Sequence, residues 1–218
     1  MIATITLNPS LDRHVAVENL ILDDTNRWVS YKREPGGKGI NVSRVLKELG
    51  GRTTAYGFVG GFAGRTLKSI LKQQGVPCDF TPIKSEIRSN FIITELKTHC
   101  QTRISAPGPK VSDGELKKLV AKVISIKPKP RYMVMAGSVP PGVPYYIYRD
   151  LIREIKALGI TTVAGLVFKL SGGGSLEEAS RFAVAAGTAA TLTPGTELCH
   201  KRDVDILLPL VTVERLPF

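Results

Sequence analysis

Four short segments carry residue types that could hold a phosphorylated, polyhydroxylated ligand. The first is EPGGKGIN, residues 34–41. Gly36, Gly37 and Gly39 leave backbone N–H groups accessible, and a helical apolar stripe starts directly after them. Free amides at a helix N-terminus favour an anion, and Lys38 adds a positive charge. The segment fits neither GxxxxGKS/T nor GxGxxG, and a glycine turn into a helix serves structure as often as binding. The second is NPSLD, residues 8–12. It puts Asp12 near the carboxyl end of the first strand, where open α/β sheets place their ligands. A carboxylate there can accept hydrogen bonds from sugar hydroxyls; Asn8 and Asp12 would serve equally as turn residues. The third, AGSVPPG at 136–142, brings Gly137 and Ser138 to the same edge, with Pro140-Pro141 stiffening the exit. It has no GxSxG elbow, which argues against a serine nucleophile. The fourth, EIRSNF, offers Arg88 and Asn90, either to a phosphate or as plain exposed strand residues.

These segments need a scaffold, and its pattern is regular. Strand signals fall at 2–7, 53–59, 91–96 and 132–136. Between them lie helical stripes: Val42, Val45, Leu46 and Leu49, ended by Gly50-Gly51; Leu67, Ile70 and Leu71, ended by Gly75; and Ile147, Leu151, Ile155 and Leu158, ended by Gly159. Ser112/Glu115 and Ser175/Glu178 have the spacing of capping boxes. Strands alternating with helices predict an α/β fold, a mostly parallel central sheet flanked by helices. Residues 14–34 and 79–105 break the rhythm and predict a small antiparallel β lid. The whole chain, 1–218, reads as one such domain.

The chain has 218 residues, 43% of them hydrophobic and 22% charged, which suits a folded globular protein. The net charge is +11, but the basic residues are dispersed and aromatics do not interleave with them, so no nucleic-acid partner is expected. Three isolated cysteines and three scattered histidines outline neither a disulfide framework nor a metal site. MIATITLNPS has no basic n-region or long apolar h-region, and no apolar run reaches the roughly 18 residues of a membrane span. A cytoplasmic location with no membrane partner is expected.

One stretch is anomalous. In ALGITTVAGLVFKLSGGG, residues 157–174, a β-branched run at 160–162 passes directly into Val163, Leu166, Val167 and Leu170, which have helical spacing. Strand-to-helix connections usually take about 2–6 residues; here there is none. The period changes at 162/163 as if at a seam.

Taken in order, TLNPSLD, EPGGKGINVSRVLKELGG, IRSN, GSVPPGVP and SLEEASRFAVAAGTAATLTPGTELC resemble the PfkB branch of the ribokinase-type carbohydrate kinases. Within it the likeness is to the phosphofructokinase subgroup, most of all the minor 6-phosphofructokinase type, through EPGG before KGIN and GTELC at the tail. The resemblance implies a ribokinase-like fold whose β lid often builds a homodimer. It implies transfer of the ATP γ-phosphoryl group, with Mg²⁺, to a sugar phosphate: fructose 6-phosphate first, with 1-phosphofructokinase and tagatose-6-phosphate kinase as alternatives. By position, Asp12 would bind sugar hydroxyls, and Gly37, Lys38, Gly39 and Asn41 would line the sugar pocket. Arg27 and Arg88 would hold the substrate phosphate, with Ser138 nearby. Lys38 stands where some relatives have glycine, and Thr25 where some have lysine.

One departure outweighs these. At the seam, relatives carry a block holding an acidic strand end, an asparagine–glutamate motif that handles Mg²⁺, most of the ATP site, and GAGD. The GAGD aspartate takes the proton of the attacking hydroxyl, and the helix end beside it stabilises the transferring phosphoryl group. This sequence contains no GAGD. No catalytic residue and no metal ligand is therefore assigned, and the chain as written is expected to be inactive. It reads either as a kinase missing interior βα units or as a non-catalytic remnant that binds a sugar phosphate.

Overall fold

The computed structural model describes residues 1–162, 175–191 and 199–212. Its central sheet contains β1 (Ile2–Thr6), β4 (Thr53–Val59), β5 (Thr81–Pro82), β8 (Tyr132–Met135) and β9 (Thr161–Thr162), in the order β5-β4-β1-β8-β9. Every pairing in it is parallel. β1 lies in the middle: the chain first builds outward to β4 and β5, then returns to β1's other side for β8. That reversal of strand order opens a crevice at the carboxyl ends of the strands.

Period-two alternation sorts the side chains onto two faces. Ala3, Ile5, Tyr56, Phe58 and Met133 are buried with Leu119 and Val123 of α3 (Asp113–Ile124) and with Ile147, Leu151 and Ile155 of α4 (Ile147–Ala157). The opposite face carries α1 (Lys38–Glu48) and α2 (Gly61–Gln73). Two further helices, α5 (Leu176–Thr191) and α6 (Lys201–Leu207), add a cluster in which Phe182, Ala185 and Val204 pack with Val45 and Leu49 of α1. Helices on both faces of a parallel sheet match the expected fold class.

α1 buries Gly39, Ile40, Ser43 and Leu46, a face turned from the apolar stripe read in the sequence. Hydroxyls explain the rotation. Ser43 Oγ lies 2.8 Å from Thr4 Oγ1 and 2.8 Å from Thr53 Oγ1, so a buried serine is satisfied between two strands. Val45 and Leu49 of the stripe face α5 and α6 instead.

Both capping boxes form. Ser112 and Glu115 bond reciprocally, as do Ser175 and Glu178. The helical spacing at Val163–Leu170 lies outside the described residues; on its near side Thr161 and Thr162 pair with Tyr132 and Met133.

The lid is a second sheet, β3-β2-β6-β7, made of β2 (Ser10–Val17), β3 (Ser30–Gly36), β6 (Arg88–Glu95) and β7 (Gln101–Ile104). It corrects the expectation of an antiparallel layer. β2–β3 and β6–β7 are antiparallel hairpins, but the central pair β2–β6 is parallel over Ser10–Val17 and Arg88–Glu95. The reason is directional. β1 and β5 run parallel, and after each a short connection leads off the same sheet edge into a lid strand, so β2 and β6 leave side by side. The lid also starts at Ser10 rather than residue 14, and Thr81–Pro82 belongs to the central sheet. Trp28, Val29, Tyr31, Phe91 and Ile104 stand exposed on the lid, with Trp28 stacked on Tyr31 at 5.5 Å.

Candidate functional site

The site gathers where β1 ends and the lid begins. Asp12, read in the sequence as the end of β1, lies on lid strand β2 and is half-buried. Its Oδ1 accepts hydrogen bonds from Ser10 Oγ and from Asn90 Nδ2, both at 2.8 Å. Oδ2 lies so close to Gly36 that a Cβ there would stand 2.4 Å away. Position 36 therefore admits only glycine while the carboxylate keeps this place.

Gly37 adopts φ 119°, a conformation that favours glycine, and a Cβ on it would meet Thr6 Cγ2 at 2.6 Å. α1 begins at the next residue. A Cβ on Gly39 would meet the Ile5 carbonyl and Thr6 Oγ1, each at 2.6 Å, so two glycines bring the helix end down onto β1. The Ile40 amide donates to Thr6 Oγ1 at 2.9 Å and that of Asn41 to the Gly37 carbonyl. Among the described residues nothing accepts from the Lys38 and Gly39 amides, at the positive end of the helix dipole. Gly137 approaches the same end, with its Cβ position 3.9 Å from Lys38 N.

A second helix starts at this edge but is not open. The Ala63 amide, in the first turn of α2, donates to Glu86 Oε1 at 2.6 Å, and the Glu86 side chain fills the space a Cβ on Gly61 would need. α2 already has its anion; among the described residues α1 has none.

Arg88, half-buried at the start of β6, donates from Nη1 to the Ala106 carbonyl and from Nη2 to the Asn8 carbonyl, both at 3.1 Å. Desolvation holds its guanidinium below the usual arginine value, partly offset by the charge of Asp12. Asn8 in turn donates from Nδ2 to the Pro107 carbonyl and to Ser138 Oγ. Six buried side-chain polar atoms lack a partner among the described residues, and three of them are Asn8 Oδ1, Asn41 Oδ1 and Arg88 Nε. Buried polar groups are rarely left unmatched; Asn41 Oδ1 and Arg88 Nε lie on segments of the site, whereas Asn8 Oδ1 lies under Gly108.

The structure thus brings together Asp12, Gly37, Lys38, Gly39, Asn41, Arg88 and Ser138. Arg27 is different: it is exposed on the loop between β2 and β3 and makes no hydrogen bond or ion pair among the described residues. Asn90, Asn8, Thr6, Ser10 and Glu86 emerge as parts of the site's frame. The alternation of β1 could have singled out Thr6, since it puts Thr4 and Thr6 opposite Ala3 and Ile5. A cavity of about 430 Å³ at the other end of α1 is lined by Glu34 and Glu48 as well as Lys32, Arg44 and Lys47. Those carboxylates and the negative end of the helix dipole make it the poorer place for a phosphate. Among the described residues no group of three or more His, Cys, Asp and Glu side chains is placed to hold a metal ion, and no helix is long and apolar enough to cross a membrane.

Residues 5–162 match the sequence model of the pfkB family of carbohydrate kinases. The chain is 38% identical over 156 residues to a 1-phosphofructokinase of Bacillus subtilis, a match covering 72% of this chain and 50% of that protein. It is 35% identical over 178 residues to a tagatose-6-phosphate kinase of Staphylococcus epidermidis, covering 82% and 55%. The structure is similar to phosphofructokinase-2 from Escherichia coli, with a TM-score of 0.89 and 25% identity over 96% of this chain and 98% of that one. The chain spans about half the length of the curated relatives it matches.

Proposed function

The chain belongs to the pfkB family of carbohydrate kinases, and from that premise we propose that it holds the sugar-phosphate-binding part of a phosphofructokinase-type enzyme. The ligand is a ketohexose phosphate, fructose 6-phosphate first. Asp12 accepts the sugar hydroxyls, the open N-terminus of α1 with Asn41 lines the pocket, and Arg88 and Ser138 hold the phosphate end. The observation that carries this reading is the start of α1, unblocked among the described residues, beside the Asp12 carboxylate and the unpartnered Asn41 Oδ1 and Arg88 Nε. The names of the two relatives favour fructose 1-phosphate and tagatose 6-phosphate as the other ligands to test.

For ATP and Mg²⁺ the residues present do not complete a site. The sequence lacks GAGD, the motif whose aspartate would take the proton of the attacking hydroxyl. The chain therefore binds a sugar phosphate without transferring a phosphoryl group to it, and loss of a general base alone removes about 10²–10⁴-fold of rate. Copies pair through the exposed aromatic and aliphatic side chains of the lid. Calorimetric titration with the three sugar phosphates, on wild type and Asp12→Ala, tests binding. A coupled assay on protein of verified mass tests turnover. Binding abolished by Asp12→Ala, with no turnover, is the expected result. ATP-dependent turnover by the pure chain, or no binding of any of the three, would overturn the reading.

A further inference from the structure

We infer that Asn8 is a positioning residue: its side-chain amide latches the lid's return segment to the Ser138 loop and so fixes Arg88 over the phosphate end of the site. The inference rests on the sugar-phosphate reading above.

Asn8 is 3% exposed and lies in the short link between β1 and β2. One Nδ2 hydrogen bond goes to the Pro107 carbonyl at 2.8 Å and another to Ser138 Oγ at 3.2 Å. A primary amide has two N–H donors, so both are engaged. Its backbone carbonyl accepts from Arg88 Nη2. Three segments far apart in sequence, around residues 8, 107 and 138, meet at this one side chain. The return segment passes directly over it: a Cβ on Gly108, which has φ 109°, would stand 2.3 Å from Asn8 Oδ1.

That segment needs a latch. From residue 105 to 112 the backbone has no regular secondary structure; the Val111 amide donates to the Pro141 carbonyl, and side chains meet the polar groups nearer the lid. Arg88 Nη1 takes the Ala106 carbonyl, Asn90 Oδ1 takes the Ala106 amide, and Asn8 takes the Pro107 carbonyl. Arg88 and Asn90 both belong to lid strand β6, whereas Asn8 follows central strand β1. Of the three, Asn8 anchors the return segment to the central domain. Without the Asn8 side chain, residues 105–108 are held by the lid alone, Arg88 keeps its bond to the Asn8 main-chain carbonyl but loses the fixed position of the Ala106 carbonyl, and Ser138 loses its orienting donor. A purely structural role would lower stability and leave the coupling between positions 8 and 138 at zero.

The test combines a double-mutant cycle with amide hydrogen exchange on the full chain. Asn8→Ala and Ser138→Ala should each weaken fructose 6-phosphate binding roughly tenfold, the scale of one lost hydrogen bond. The double variant should lose about the same, well short of the product. Exchange should speed up at residues 105–110 in Asn8→Ala while β1 and β4 keep their protection. Multiplicative losses, or unchanged exchange at 105–110, would overturn the inference. If wild type binds none of the three sugar phosphates, the functional reading fails, and exchange alone decides the latch: local acceleration supports it and none refutes it. Asn8→Ser, which keeps one short donor, replaces the alanine variant if that variant does not fold.

Discussion

Asn90 donates a 2.8 Å hydrogen bond to the Asp12 carboxylate across the parallel strand pair at the centre of the lid. The bond fixes the orientation of the Asp12 carboxylate, and the other end of the Asn90 amide holds the Ala106 amide. Asn90→Ala should weaken sugar-phosphate binding about 10-fold or more, as expected when a hydrogen bond to a charged group is removed. Asn90→Asp sets two carboxylates against each other, so one of them retains a proton to higher pH. Its binding relative to wild type should fall as pH rises; a ratio of the two that does not change with pH would contradict this.

Two glycines at helix starts should respond with opposite signs. A methyl group on Gly39 would meet the Ile5 carbonyl at 2.6 Å, whereas nothing lies within 4 Å of one on Gly114 in α3. Gly39→Ala should destabilise by about 1–3 kcal/mol through forced backbone displacement and abolish ligand binding. Gly114→Ala should be neutral or stabilising by up to about 1 kcal/mol. Urea unfolding of the two variants decides between them.

The capping box of α3 predicts a pH dependence. Hydrogen bonds from the Ser112 backbone, the Ser112 hydroxyl and the Lys84 amide hold the Glu115 carboxyl below its ordinary value. A carboxyl whose folded value is depressed contributes stability above its unfolded value and loses it as pH falls through the folded one. Glu115 is partly exposed at the surface, where water screens its charge, so the effect is small: Glu115→Gln should cost under about 1 kcal/mol at pH 7. The gap should close as pH drops below the ordinary glutamate range. A gap unchanged at low pH would mean that the charge contributes nothing.

Trp28 is the only tryptophan and is exposed, stacked on Tyr31 among the apolar lid residues. Pairing through this face should shift its emission to the blue as protein concentration rises. Phe91→Glu should abolish the shift and give a monomer by sedimentation, since a buried unpaired charge is strongly unfavourable. Concentration-independent emission from a monomeric wild type would exclude the lid as the interface.

What could be read from the sequence follows the range of each interaction. Gly37, Lys38 and Gly39 and both capping boxes were legible because each depends on neighbours a few residues away. Asp12 was singled out by its residue type, but its strand was not legible, because Asn8-Pro9 ends β1 and a new strand starts at once at Ser10 with partners far away in the chain. The parallel pairing of β2 and β6 was hidden, since it joins residues such as Asp12 and Asn90, 78 positions apart. Asn8 looked like a turn residue for the same reason: its partners stand 99 and 130 positions away. Hydroxyls on the buried face of α1 defeated the apolar count, because Ser43 is satisfied by two threonines that the helix itself does not contain.

Glu86 has a consequence beyond the cap it makes. Two adjacent helices begin at the same sheet edge with the same paired-glycine signature, and a phosphate drifting into the crevice would find two equivalent berths. Glu86 is tethered in one of them as a permanent tenant. With α2 closed, the proposed ligand has one helix end to settle against, that of α1. A negative side chain thereby does the sorting usually credited to positive ones.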